Sequence, residues 1–177
     1  MSLAIGLDVS ELRMGWAVCD YDTQEPLALG VEDLRRRDGG WPEKQVETAV
    51  NDVWLTVNRM GYDYEEIVLV GIEAAYHGPS IKRTIAHAGV IGMATMAASI
   101  TFPAATIYPI PADSWRKALG IKGKNRAEKK ALTMEWACDH LDDFCVLRSQ
   151  QLIGQDEADA LGIAVACARL TEKREAA

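Results

Sequence analysis

Apolar residues in this chain fall first into short strand-length runs and later into helical stripes. Leu3-Ala4-Ile5-Gly6-Leu7 is an apolar run that stops at Asp8, which predicts a buried strand. Met14 to Cys19 predicts a second strand, and the alternation of Leu27, Leu29 and Val31 a third. The connections between them are short, so the three are expected to form an antiparallel meander. Val46, Ala49, Val50, Val53, Trp54, Val57 and Met60 then recur at three- and four-residue spacing, the stripe of an amphipathic helix that Gly61 should stop. Ile67-Val68-Leu69-Val70-Gly71-Ile72 is β-branched and apolar throughout, as a central strand covered on both faces should be, and it ends on Glu73.

Pro79 and Ser80 open a second expected helix running to about residue 99, rich in alanine and glycine, so that another element can approach it closely. Thr106-Ile107-Tyr108 reads as a short strand. Asp113 is expected to N-cap a brief helix after Pro111-Ala112. Gly120 to Asn125 reads as a basic loop. A helix from Arg126 to about Leu141 should bury Ala127, Ala131, Met134, Cys138 and Leu141, and a last helix should run from about Gln155 to Thr171. Three strands followed by alternating helices and strands predict an α/β fold, a mixed sheet flanked by helices. With 177 residues the expectation is one domain over residues 1–172 and a polar tail at 173–177. No internal repeat interrupts this order.

Composition adds little until it is read by position. Apolar residues make up 49% and charged residues 25%, ordinary values for a globular chain. No apolar run approaches the ~20 residues of a membrane helix. The start, Met-Ser-Leu-Ala-Ile-Gly-Leu-Asp, has no basic region, so neither a signal peptide nor a membrane is expected, and the expected location is cytoplasmic. Cys19, Cys138, Cys145 and Cys167 form no C-x-x-C pair and are expected to be reduced, mostly buried thiols. The net charge of −7 argues against a chain coated in nucleic acid. Its distribution says otherwise. Arg116, Lys117, Lys122, Lys124, Arg126, Lys129 and Lys130 face one acid, Glu128, a local charge of +6 in 15 residues. Such a segment is either a candidate phosphate-binding surface or a solvated helix face beside a charged loop.

The chemistry points to carboxylates. Asp8 and Glu73 each end an apolar strand, the edge where open α/β sheets bind ligands. If the two strands are neighbours, both side chains enter one crevice. Asp156 and Asp159, three residues apart, share a face of the last helix, and Asp156 lies in its first turn. Each acid alone has an ordinary explanation as a turn or first-turn residue. As a set, carboxylates that end apolar strands are costly unless paired or metal-bound, and hard oxygen donors suit magnesium or manganese. His77, His87 and His140 are scattered and form no competing ligand set.

At these residues the chain resembles the RuvC-type Holliday junction resolvases. Ile5-Gly-Leu-Asp8-Val-Ser-Glu-Leu-Arg-Met-Gly15-Trp-Ala-Val is similar to their opening strand and turn. Gly71-Ile-Glu73-Ala-Ala-Tyr76 is similar to their second acidic motif, and Asp156-Glu-Ala-Asp159-Ala-Leu-Gly-Ile-Ala164 to their C-terminal Asp-x-x-Asp-Ala helix. Order and spacing agree over almost the whole chain. The resemblance implies a ribonuclease H-like fold with a mixed five-stranded sheet, a homodimer, and nicking of two strands of a branched DNA junction. It implies that Asp8, Glu73, Asp156 and Asp159 are the metal-binding catalytic acids, with two Mg2+ ions that Mn2+ can replace, and that Asp8 bridges them. It places Tyr76 near the junction centre and Lys129 in the catalytic-side helix. Lys82, Arg83, Arg116, Lys117, Lys122, Lys124, Arg126 and Lys130 complete the expected DNA-binding set. The helix over residues 80–99 corresponds to one that contributes to the family's dimer interface.

One departure stands out. The family's first motif reads Asp-Pro-Gly, whereas Asp8-Val9-Ser10 lacks both the rigid turn and the glycine that lets a backbone approach phosphate. A diverged, phage-encoded member acting in the host cytoplasm fits this pattern. The alternatives are a flap- or branch-specific or RNA-processing nuclease of the same fold, a sugar kinase or actin-like ATP-binding fragment suggested by Gly6-Leu-Asp8-Val-Ser10, and a non-catalytic junction-binding scaffold.

Overall fold

The computed structural model describes residues 1–35, 42–75, 80–141 and 153–175. Its strands are β1 (Leu3–Val9), β2 (Arg13–Asp20), β3 (Pro26–Asp33), β4 (Ile67–Glu73) and β5 (Thr106–Ile110). Its helices are α1 (Glu43–Arg59), α2 (Ile81–Thr101), α3 (Ala112–Ala118), α4 (Arg126–Leu141) and α5 (Gln155–Glu175). The strands form one mixed sheet in the order β3-β2-β1-β4-β5. β1, β2 and β3 are antiparallel, while β4 runs parallel to β1 and β5 parallel to β4. This is the mixed sheet that the element order predicted, in the ribonuclease H-like arrangement that the resemblance implied.

The strands are apolar on both faces, but the two faces differ in side-chain size. Leu3, Ile5, Leu7 and Val9 of β1, with Met14, Trp16 and Val18 of β2, pack under α1 and α2. The opposite face carries Ala4, Ala17 and Cys19, and α5 lies on it. Large side chains there would hold the helix away; small ones let it sit almost on the backbone. Gly6 and Gly15 take this furthest. A Cβ on Gly6 would lie 2.0 Å from the Ala160 carbonyl oxygen, and one on Gly15 would lie 2.1 Å from that of Asp156. α5 is covered in turn by α3 and α4, so Ala158 and the run Ile163–Ala168 are fully buried. A helix enclosed on all sides can be apolar on all sides.

Several expectations change at this level. Pro111, not Asp113, N-caps α3, and the Asp113 carboxylate accepts a hydrogen bond from Lys129 instead. α4 buries Thr133, Ala137 and Leu141. The stripe read from Ala127, Ala131 and Cys138 faces out, because alanine repeats mark helix propensity as readily as a core face. Cys138 is therefore an exposed thiol, whereas Cys19 and Cys167 are buried and burial pushes both up to about 12. Cys145 lies outside the described residues. α5 continues to Glu175, into the segment expected to be a polar tail.

The expectation of no membrane-length apolar run also needs correcting. α2 is long and apolar enough to cross a membrane by length and composition. Its charged residues, Lys82 and Arg83, sit at one end, and isoleucine, valine, methionine and alanine make the remainder apolar. Val90, Ile91, Ala94, Ala97 and Ala98 pack inward, mainly toward α1, while Ile81, Ile85, Met96 and Ile100 are exposed.

Candidate active site

The site forms where β1 and β4 end. The parallel register pairs Leu7 with Ile72, which sets Asp8 and Glu73 side by side at the next position. Both project on the α5 face, two residues beyond Gly6 and Gly71, which share that face by the two-residue alternation of strands. Across β2, Gly15 is the register partner of Asp8. Because Gly15 has no side chain, the first turn of α5 descends onto it and brings Asp156 and then Asp159 over the strand ends. The four acids thus come from three elements and meet at one edge of the sheet.

The four acids are close enough to act on one another's charge. Asp8 is held well above the usual carboxylate range, first by burial and then by the negative charges of Glu73, Asp159 and Asp156. Glu73 is raised by burial, partly offset by the hydrogen bond from Trp115, by Arg116 and by His87. Asp159 is raised by burial and pulled back by Arg116, Gln155 and Lys130. The cluster therefore gathers carboxylates whose ionised forms burial and mutual repulsion disfavour and whose neighbouring cations offset that only in part.

Each acid around Asp8 has a donor of its own. The buried Trp115 indole donates from Nε1 to Glu73 Oε2 at 2.8 Å. Asp159 Oδ1 accepts from Gln155 Nε2 at 3.0 Å and from Arg116 Nη2 at 3.4 Å. Arg13 lies 3.6 Å from Asp156. Among the described residues no three His, Cys, Asp or Glu side chains form a ready-made shell for one ion. The donor set still fits a hard divalent cation: oxygen ligands, clustered, partly desolvated and short of positive charge.

Lys129 is bonded to Asp113 at 2.6 Å, whereas Lys130 is the lysine whose charge is felt at both Asp8 and Asp159. Lys117, Lys122, Lys124 and Arg126 are exposed on the end of α3, the following loop and the start of α4, and Lys82 and Arg83 are exposed at the start of α2. Arg116 is not among the exposed cations; it is turned inward against Asp159. Tyr76 and His77 lie outside the described residues. The sequence pattern did not single out Trp115, Gln155 or His87. His87 joins α2 to the site through its Nε2, 3.1 Å from the Val9 carbonyl oxygen. A visible signal was the repeated Gly-x-acid ending of both strands, Gly6-Leu7-Asp8 and Gly71-Ile72-Glu73.

The turn after Asp8 corrects another expectation. Without Pro-Gly it was expected to lose rigidity, yet Ser10 rebuilds it. The Ser10 hydroxyl accepts from the Arg13 amide at 3.1 Å and donates to the Arg13 carbonyl at 2.9 Å. The Ser10 amide adds a 2.8 Å bond to the same carbonyl. A hydroxyl that closes a turn on its own backbone replaces the proline's fixed φ with hydrogen bonds.

The same architecture occurs in solved resolvases. The chain superposes on Thermus thermophilus RuvC in complex with a Holliday junction substrate with a TM-score of 0.69 at 14% identity, covering 98% of this chain and 96% of that one. It is also similar to the fowlpox virus Holliday junction resolvase (TM-score 0.53, 11% identity, 99% of both chains). The yeast mitochondrial Holliday junction resolvase matches with a TM-score of 0.57 at 11% identity, over 97% of this chain and 80% of that one. No protein-family model matches the sequence, and no curated protein matches it. The chain has the fold of the RuvC-type resolvases.

Proposed function

We propose that this protein is a divalent-metal-dependent endonuclease that cuts branched DNA, with four-way junctions as its preferred substrate. The observation that carries the reading is the pairing of Asp8 and Glu73 at the ends of adjacent parallel strands beneath Asp156 and Asp159. A buried, under-compensated carboxylate cluster has little structural purpose, and it is what a phosphodiester hydrolase needs to hold cations. The fold it shares with junction resolvases supports the substrate class.

In this reading Asp8 and Glu73 hold Mg2+ or Mn2+ from the sheet, and Asp156 and Asp159 hold it from α5. Two such ions, when bound, activate the attacking water and stabilise the leaving oxygen of the phosphodiester. Trp115 fixes the rotamer of Glu73 through its Oε2, and Gln155 orients Asp159. Lys130 offsets phosphate charge beside Asp8. Lys117, Lys122, Lys124 and Arg126, on the outward side, engage the DNA backbone.

Two copies are needed to cut a junction symmetrically. The exposed Ile81, Ile85, Met96 and Ile100 of α2 offer an apolar surface for a homodimer. In sedimentation runs Ile85→Glu should then give monomers where wild type gives dimers; a wild-type monomer at tens of micromolar contradicts the assignment. The substrate claim is tested by incubating purified protein and Mg2+ or Mn2+ with four-way, three-way, flap and linear DNA and with structured RNA. Preferential symmetric nicking of the four-way junction is expected. Preference for flaps or RNA would assign the chain to another nuclease activity on this fold, and binding without cutting would make it a scaffold.

A further inference from the structure

Arg116 stands apart from the other basic residues of its segment. It is on the short helix α3, next to Trp115, and its side chain is only 11% exposed. Its guanidinium lies over the Trp115 ring at 4.1 Å from the centroid and reaches Asp159 Oδ1 at 3.4 Å through Nη2. Its charge acts on both Glu73 and Asp159. Yet among the described residues its buried Nε has no hydrogen-bond partner. Burying an arginine donor unpaired is costly, so the pose is incompletely satisfied. Trp115 and Arg116 are consecutive, and one binds Glu73 at the end of β4 while the other binds the buried Asp159 of α5. The 3.4 Å contact is longer than the 2.7–2.9 Å of a strong charge-assisted pair.

We infer that Arg116 is an internal counter-ion for the empty carboxylate cluster, one that a divalent cation displaces. The inference rests on the proposed metal-dependent reading of the site. Without a metal the clustered carboxylates have no cation among them, and the guanidinium stabilises Asp159 from the side. A divalent cation among the same carboxylates competes with it for Asp159, so Asp159 exchanges one cation for the other. The guanidinium, still stacked on Trp115, is then free to turn its fork toward a phosphate. Cation loading and phosphate capture become linked through one side chain, and Arg116 acts as a positioning residue that reports whether the site is loaded.

Calorimetric titration of Mn2+ alone, without DNA, tests this on wild type, Arg116→Gln, Asp159→Asn and the double variant. Removing a competing cation should tighten Mn2+ binding by Arg116→Gln about tenfold, because a charge pair this buried is weakly screened. The gain should vanish in the Asp159→Asn background. Unchanged or weaker binding by Arg116→Gln overturns the inference while leaving the metal site intact. A wild type that binds no Mn2+ overturns both the inference and the reading beneath it. A second measurement needs no variant: the Arg116 Nε–H resonance of the wild-type protein should shift as Mg2+ is titrated in. A resonance that stays in place at saturating Mg2+ also overturns the inference.

Discussion

Gly15→Ala is a one-methyl change that alters no charge, and it should damage both folding and the site. Gly15 is the strand partner of Asp8, and α5 rests on it through the Asp156 backbone. The new Cβ would stand 2.1 Å from the Asp156 carbonyl oxygen and 2.4 Å from its carbon. Cβ contacts below 3.0 Å are essentially never seen, so the first turn of α5 must retreat by at least 0.9 Å. The contact is backbone, not a flexible side-chain tip, so no rotamer change relieves it. Overpacking of this kind costs about 1–3 kcal/mol, which for a chain of this size lowers Tm by roughly 2–4 °C per kcal/mol. The retreat carries Asp156 away from Asp8. A misplacement of about 1 Å in an active site can cost on the order of a hundredfold in rate. The assays are a thermal melt and single-turnover junction cleavage in Mg2+. Gly92→Ala is the control: nothing lies within 4 Å of a Cβ there, and as an α2 position it should gain up to about 1 kcal/mol from helix propensity. A Gly15→Ala protein with wild-type Tm and wild-type cleavage would refute the claim that this contact positions Asp156.

Two further outcomes follow from the charges. Asp8, Glu73 and Asp159 have folded values above their unfolded ones, so their contribution to stability is full below about pH 4 and is lost as pH rises through the folded values. His140 is lowered by burial and runs the other way, losing stability as pH falls below its ordinary range, so the decisive comparison is between wild type and Asp8→Asn, in which His140 cancels. In chelator, urea midpoints from pH 5 to 8 should fall more steeply with pH for wild type than for Asp8→Asn; equal slopes would contradict the coupling within the cluster. Reversing Lys122 and Lys124 to Glu should weaken junction binding and reduce the slope of log affinity against log salt by about 2. An unchanged slope would remove the loop from the DNA surface.

Much of the fold was legible because its signals are local. The valine stripe of α1 and the apolar runs of β1 and β4 have the periods their structures require, and the acids that end those strands stand at the sheet edge where the pattern put them. Partners decided by tertiary packing were not legible. Nothing in the sequence around Lys129 and Lys130 tells which lysine pairs elsewhere and which acts on the acids; Asp113, sixteen residues earlier, takes the first. The inward turn of Arg116 depends on Trp115 filling the space beside Gly162 of α5. α4 misled because alanine repeats mimic a buried stripe. The turn at Ser10 misled because the sequence shows the missing proline and glycine more plainly than a hydroxyl that closes on its own backbone.

The central claim, that these carboxylates make a metal-dependent nuclease, rests most directly on Asp8. Asp8→Asn keeps the shape and removes the charge on which Glu73, Asp156 and Asp159 all act. The measurement is paired: Mg2+-dependent nicking of a four-way junction, and binding of the same junction in chelator. The account predicts that nicking falls by roughly a thousandfold or more while binding stays close to wild type. A variant that cuts at the wild-type rate would contradict it.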